Sequence, residues 1–224
     1  MRRYIGVDNA VEISVVTASG AHITTNEYQN SDLFWALRGG GGGTFGIVTS
    51  VTYQTHPSTP VIATFFDANV NSAASGPDVV GKTNFEKLFT EFVRLTPAMA
   101  DGGWAGYMAA TTVAIPGAGT PSMEVLYMAP NVSWAAANAT MNPFLDFAES
   151  LASDSHGQLV VSARTTQFDS FSGWYENVVH NITMQQTVGL RAEITSRLLP
   201  QSLFETDYKN AARTLLSIPL LGYK

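Results

Sequence analysis

The chain has 224 residues, of which 45% are hydrophobic and 13% charged, with a net charge of −6 and a pI near 5.1. That composition is globular and excludes disordered and collagen-like chains, and the acidic balance, with no basic cluster to offset it, excludes a non-specific nucleic-acid binder. Cysteine is absent, which excludes a disulfide framework, a thiolate metal site and a cysteine nucleophile. No apolar run reaches the length of a membrane span. Met1-Arg2-Arg3-Tyr4 is basic, but no apolar signal-peptide core follows it. Sequons at Asn131, Asn138 and Asn181 permit a secreted parent without establishing one, because a chain rich in Ser and Thr produces such triplets by chance. The sequence alone assigns no compartment.

In chain order, Val11 to Thr17 is β-branched, Ala18-Ser19-Gly20 reads as a turn, and Ala21 to Thr25 returns, so residues 11–25 predict a hairpin. Ser31 is the expected N-cap of a short helix that carries Leu33, Phe34 and Leu37 and stops at Gly39. After the glycines, Ile47, Thr49, Val51 and Tyr53 alternate with Val48, Ser50 and Thr52, which predicts a strand ending at His56-Pro57. Ser58-Thr59-Pro60 reads as a domain boundary.

Val61 to Phe66 is a strand candidate. Thr83-Asn84-Phe85-Glu86 has the form of a capping box, followed at helical spacing by Phe85, Leu88, Phe89, Phe92 and Val93, a core stripe, with Pro97 expected to stop the helix. Strands are expected over 104–115 and 123–129. A helix capped by Ser133 is expected to run to about Leu151, kinked or broken at Pro143, with a short strand over 159–163. Residues 168–179 predict an aromatic, lid-like stretch and 187–199 a strand. A last helix opens at Pro200, with Tyr208, Ala211 and Leu215 on one face. The result is α+β, with an antiparallel sheet and flanking helices after the boundary.

The run Arg38-Gly39-Gly40-Gly41-Gly42-Gly43-Thr44-Phe45-Gly46 stands between the first helix and its following strand. It satisfies G-x-G-x-x-G formally, but a dinucleotide fingerprint needs the strand first and the helix second. No Gly-Lys-Ser/Thr follows, so it is not a Walker loop. Hydrophobic anchors on both sides argue against a free linker. From chemistry alone, a backbone-lined binding loop and a structural turn are equally favoured.

Residues 32–49, Asp-Leu-Phe-Trp-Ala-Leu-Arg, five glycines, then Thr-Phe-Gly-Ile-Val-Thr, resemble the signature of the FAD-linked oxidases. These are flavoproteins with a PCMH-type FAD-binding domain, including berberine-bridge-enzyme-like oxidases and fungal pathway oxidases. Val7 to Glu12 and Val15 to Gly20 are similar to the family's run into that signature. Weaker likeness lies in Trp174 to Asn177 and Ser196 to Pro200. The resemblance implies that residues 1–58 are the C-terminal part of the FAD-binding domain and 59–224 a partial substrate-binding domain. FAD would be held mainly through backbone at Gly39, Gly40, Gly41, Gly42, Gly43, Thr44, Phe45, Gly46, Ile47 and Val48. The sheet of the second part would roof the flavin ring and hold a small-molecule substrate. The implied reaction is two-electron oxidation of a small organic molecule, hydride passing to flavin and electrons on to oxygen, in secondary metabolism. The family is often secreted or endomembrane.

The family's N-terminal subdomain, with its phosphate loop and flavin-linked histidine, and its closing Asn-Tyr-type segment have no counterpart here, so the chain is expected to be an interior segment. The alternative is a non-catalytic remnant that binds a small molecule or partner without FAD. Unpaired strand edges are expected to drive self-association.

His22, His56, His156 and His180 lack ligand spacing, and no metal site is expected. Glu124, Tyr127, Arg191 and Glu193 lie on predicted strands, where Arg191 and Glu193 share a face and read more simply as an exposed ion pair. Tyr107 and Tyr175 are candidate donors or stacking groups, though core aromatics are commoner. No residue is assigned as catalytic base.

Overall fold

The computed structural model describes residues 6–41, 43–71, 79–111, 120–180 and 196–218. The chain divides into two compact units, Met1–Pro57 and Ser58–Lys224. The strand expected over 187–199 lies outside the described residues up to 195, and 196–200 has no regular structure.

In the first unit a 3-10 turn, Gly6–Asn9, leads into β1 (Ala10–Val16), followed by β2 (His22–Asn26), α1 (Ser31–Gly39) and β3 (Ile47–Tyr53). The sheet order is β2-β1-β3 and both pairings are antiparallel. The hairpin turn closes through Thr17 N–H to the Ala21 carbonyl at 3.0 Å and Gly20 N–H to the Thr17 carbonyl at 2.9 Å. Asn26 then organises the connection to α1, its side-chain oxygen accepting from the Tyr28 and Gln29 N–H groups. The N-cap is Asn30, in the left-handed region at φ 50°, and not Ser31. Its amide is drawn to the Thr24 carbonyl, so it anchors the helix to β2 instead of bonding the helix's own free N–H groups. Phe34, Ala10 and Ile13 form a small core, with Leu37 against it. Burying Phe34 is worth roughly 2–3 kcal/mol.

The β1–β3 register shifts twice, between Ala10 and Glu12 and between Ser14 and Val15. Val15 faces Val48 and Ser14 faces Ser50, leaving Thr49 outside the pairing. The simple alternation expected for residues 47–53 is therefore broken by a bulge.

The second unit is built on β4 (Val61–Val70), β5 (Ala105–Thr111), β6 (Ser122–Pro130) and β7 (Leu159–Phe168), in the order β5-β6-β4-β7, all antiparallel. Beneath it lie α2 (Val79–Asp101) and α3 (Trp134–Asp154), with α5 (Gln201–Thr206) and α6 (Tyr208–Leu216) against α2. On β4 the even residues Ile62, Phe66, Ala68 and Val70 turn into this core, and Phe85, Leu88, Phe89, Phe92 and Val93 of α2 supply its other side. Phe144 meets Phe66 and Phe92 edge to face at 4.9 and 5.3 Å. The last helix is two helices, broken at Asp207.

Two further expectations about helix boundaries fail, both in α2. The capping-box sequence lies inside α2, which begins at Val79, and α2 continues through Pro97 to Asp101. The turn beyond Pro97 is fixed because Met99 is fully buried and its carbonyl accepts from Trp104 N–H, while Gly103 at φ +88° ends the helix. In α3 Ser133 is the cap, its hydroxyl oxygen accepting from Ala136 N–H, and the helix passes through Pro143 to Asp154. Ser155 makes the turn into β7, accepting from Leu159 N–H at 3.0 Å while donating its hydroxyl to the Ala152 carbonyl.

Candidate functional site: a glycine loop and an open sheet face

The first unit presents the loop between α1 and β3. Its described residues from Gly39 to Phe45 are exposed, and Gly42 lies outside the described residues. Arg38 secures its start, donating from Nε to the Val7 carbonyl at 3.1 Å, pairing with Asp8 at 3.5 Å and lying over the Phe34 ring. Gly40 N–H closes the helix on the Ala36 carbonyl. A Cβ at Gly40 would meet the Phe45 ring at 2.3 Å, and one at Gly46 would meet the Val16 carbonyl at 2.5 Å. Gly41, Gly43 and Gly46 have positive φ. These glycines serve the loop's own folding, which makes it a fixed turn and not a linker.

Gly39 is different. Its φ is not positive, and a Cβ there would meet nothing within 4 Å. It is the last residue of α1, beside the Gly40 cap, where glycine costs less than in a helix interior. Nothing among the described residues requires glycine there, and the open space above it leaves the backbone accessible to an outside group. Beyond the loop, Ile47 is 72% exposed and Val48 is also exposed. The residues present thus fit a cofactor gripped through backbone and flanked by apolar side chains.

The second unit offers one sheet face that the long helices leave open. The odd residues of β4 lie there, and cross-strand pairing sets rows across it: Arg164, Phe65, Leu126 and Tyr107 in one, Ser162, Asp67, Glu124 and Ala109 in the next. Ala63, Phe65, Leu126, Arg164, Thr166, Phe168, Asn177 and Val178 line a cavity of about 500 Å³ on this face. Asn177 and Val178 come from the π-helical turn Tyr175–Val179, which follows α4 (Phe171–Trp174). The expected lid-like stretch is this pair of turns. It is seated by Trp174, which is buried with Val61 and Ala63 and whose indole N–H has no partner among the described residues.

The candidate residues separate by strand parity. Glu124 is on the open face, but Tyr127, three residues on, lies on the helix side against Phe92 at 5.8 Å, where burial pushes its phenol pKa up. Tyr107 is 83% exposed on the open face, and Tyr175 is on the π-helical turn, its ring 6.5 Å from that of His180. Arg191 and Glu193 lie outside the described residues. His22 Nε2 is 3.0 Å from the Thr49 hydroxyl, and His56 Nε2 is 2.9 Å from the Asn9 side-chain oxygen, so both act as structural ties. Among the described residues no group of three His, Asp or Glu could hold a metal ion. No described helix is long and apolar enough to cross a membrane.

Sequence reasoning missed Phe65, Leu126 and Arg164. Arg164 was lost because the strand expected to end at Ala163 runs on to Phe168. The available signal was alternation in Val61 to Val70, whose odd positions become polar at Asp67 and Asn69.

No protein-family model matches the chain. Over 103 residues it is 43% identical to an uncharacterized FAD-linked oxidoreductase of Arthroderma benhamiae, covering 46% of this chain and 16% of that protein. Over 201 residues it is 30% identical to the FAD-linked oxidoreductase cheF of Chaetomium globosum, covering 90% of this chain and 27% of that protein. Among solved structures, the VAO-type flavoprotein MtVAO615 from Myceliophthora thermophila C1 matches with a TM-score of 0.60 at 26% identity, over 94% of this chain and 34% of that one. The chain therefore spans less than a third of the length of these two curated relatives. Its mixed helix and antiparallel-sheet fold is that of VAO-type flavoproteins. The resemblance to FAD-linked oxidoreductases holds, and FAD is the cofactor these relatives indicate. Both curated relatives carry the name FAD-linked oxidoreductase.

Proposed function

We propose that the chain supplies the flavin-gripping loop and the substrate face of an oxidase acting on a small organic molecule in secondary metabolism, with oxygen as electron acceptor. FAD, when bound, would supply the two-electron acceptor chemistry. On this reading, Gly39, Gly40, Gly41, Gly42, Gly43, Thr44, Phe45 and Gly46 present backbone to it, and Ile47 and Val48 shield it. Residues 1–58 belong to the FAD-binding part and 59–224 to the substrate part. The odd face of β4 with its neighbours holds the substrate, and no side chain is assigned as base.

The observation that carries the proposal is Gly39, a glycine in helical conformation with open space above it. The test is to mix the purified chain with FAD, remove free ligand and record the retained flavin absorbance. Gly39→Ala is expected to leave thermal stability within about 0.5 kcal/mol of wild type, because a Cβ there meets no described atom and the backbone is not left-handed. The same variant is expected to reduce flavin retention. Retention equal to wild type would remove the loop as the site. A colourless but cooperatively folded wild type would favour the non-catalytic remnant instead.

We also propose that β3 pairs with a second copy. All seven of its residues are exposed, including Ile47, Val48, Val51 and Tyr53, and it is an outer strand of the described sheet. Light scattering is expected to show oligomers, and a monodisperse monomer would count against this.

A further inference from the structure

We propose that the cavity on the open face binds a small organic monocarboxylate, its anionic end on Arg164 and its apolar body along Phe65 and Leu126. This rests on the substrate-face half of the function proposed above and specifies a ligand class for it. Arg164 of β7 is directly opposite Phe65 of β4, which is opposite Leu126 of β6, which is opposite Tyr107 of β5. One row therefore runs from guanidinium through phenyl and isobutyl to phenol. With strands about 4.8 Å apart, its backbone span is about 14 Å.

The cation in that row is uncommitted among the described residues. Among the described residues Arg164 forms neither of the ion pairs, and no hydrogen bond engages it. A guanidinium presents five N–H donors in a planar fork that matches a carboxylate, and it is weakly enough hydrated to work beside apolar groups. Thr166, which also lines the cavity, is two residues along the same strand and places a hydroxyl on the same side.

The acidic side chains set the selectivity. Asp67 and Glu124 oppose one another in the next row, two residues along from Phe65 and Leu126. Asp67 is held by the Asn69 amide and does not reach Arg164. A ligand with one carboxylate at Arg164 and an uncharged body avoids this pair. A dicarboxylate or phosphate ester would carry further negative charge toward it. The volume of about 500 Å³ suits a single-ring or two-ring molecule.

The test is calorimetric titration of the purified chain with 3-phenylpropanoate and with 3-phenylpropan-1-ol, which has the same body without the charge. The carboxylate is expected to bind about tenfold tighter at low salt, as for a charge-assisted hydrogen bond. The advantage should shrink at about 0.5 M NaCl. Arg164→Gln should abolish it and Arg164→Lys should retain part of it, while Phe65→Ala weakens both probes. Equal affinity for the two probes, an unchanged preference in Arg164→Gln, or no binding of either by the folded chain would overturn the inference. Flavin retention is scored separately. A colourless chain that still prefers the carboxylate through Arg164 would remove the flavin half of the function and keep this site, and a yellow chain without the preference would do the reverse.

Discussion

In the larger unit, Phe66, Phe92 and Phe144 interlock beneath the sheet, and Leu88, Met99, Met123 and Met141 are fully buried around them. In the smaller unit Phe34 is the one buried aromatic among the described residues, while Trp35 is 80% exposed and Phe45, Ile47 and Tyr53 stand open. Both have an antiparallel sheet with a helix against it, so architecture does not explain the contrast. Size does. A unit of under 60 residues buries only about 60% of the surface its unfolded chain exposes, and three strands with one short helix cannot cover both faces. The larger unit is built to stand on its own core, and the smaller one to present surface. Each of the following variants should be felt in one unit and spare the other.

The largest effect is expected at Phe144. Truncation removes two edge-to-face contacts and opens a cavity, so Phe144→Ala should cost roughly 3–5 kcal/mol in urea unfolding. Amide exchange should accelerate on β4 and β6 and stay unchanged on β1 and β2. Acceleration throughout would mean that the two units unfold as one. Gly46→Ala is the counterpart. Its Cβ would fall 2.5 Å from the Val16 carbonyl at φ +150°, and a cost of roughly 1–3 kcal/mol is expected, confined to exchange on β1, β2 and β3. Its effect on flavin retention would be indirect, which is why Gly39→Ala is the cleaner probe of the site.

Ser133→Ala, which removes the α3 cap, should lower the larger unit's stability by about 1 kcal/mol. The smallest effect concerns Tyr127, whose burial favours the protonated phenol. The folded pKa exceeds the unfolded one, so this contribution is intact below about pH 10 and fades as pH rises through the folded value. Tyr127→Phe should flatten that alkaline loss in urea melts, and an unchanged slope would place the titrating group elsewhere.

Much of the fold was legible because periodicity reports burial. The Phe85-to-Val93 stripe, the Ser133 cap and the hairpin of residues 11–25 all follow local rules that tertiary contacts reinforce. The misreadings share a cause. Pro97 failed to end α2 because buried Met99 holds the next turn, and the Thr83 box failed to start it because the helix already had a turn before it. Such outcomes depend on partners distant in sequence. The glycine run was legible as a motif, but its division of labour was not. Sequence shows five equivalent glycines, whereas the surroundings of Gly40 and the positive φ of Gly41 and Gly43 make those three necessary to the turn and leave Gly39 unneeded by it. Arg164 was hidden for a related reason: its importance comes from lying opposite Phe65, and register is not written in either strand alone.

The bulge at Thr49 gives β3 two phases. Toward the glycine loop, Val48 is in step with Val15; past Thr49, Val51 is in step with Ile13, although three residues separate it from Val48. An unbroken strand would put those two valines on opposite sides. The half-period slip lets the loop end and the far end of one short strand be set independently. Deleting Thr49 would therefore leave both halves paired as they are, Val48 with Val15 and Val51 with Ile13, and remove only the kink that aims the loop end separately from the far end.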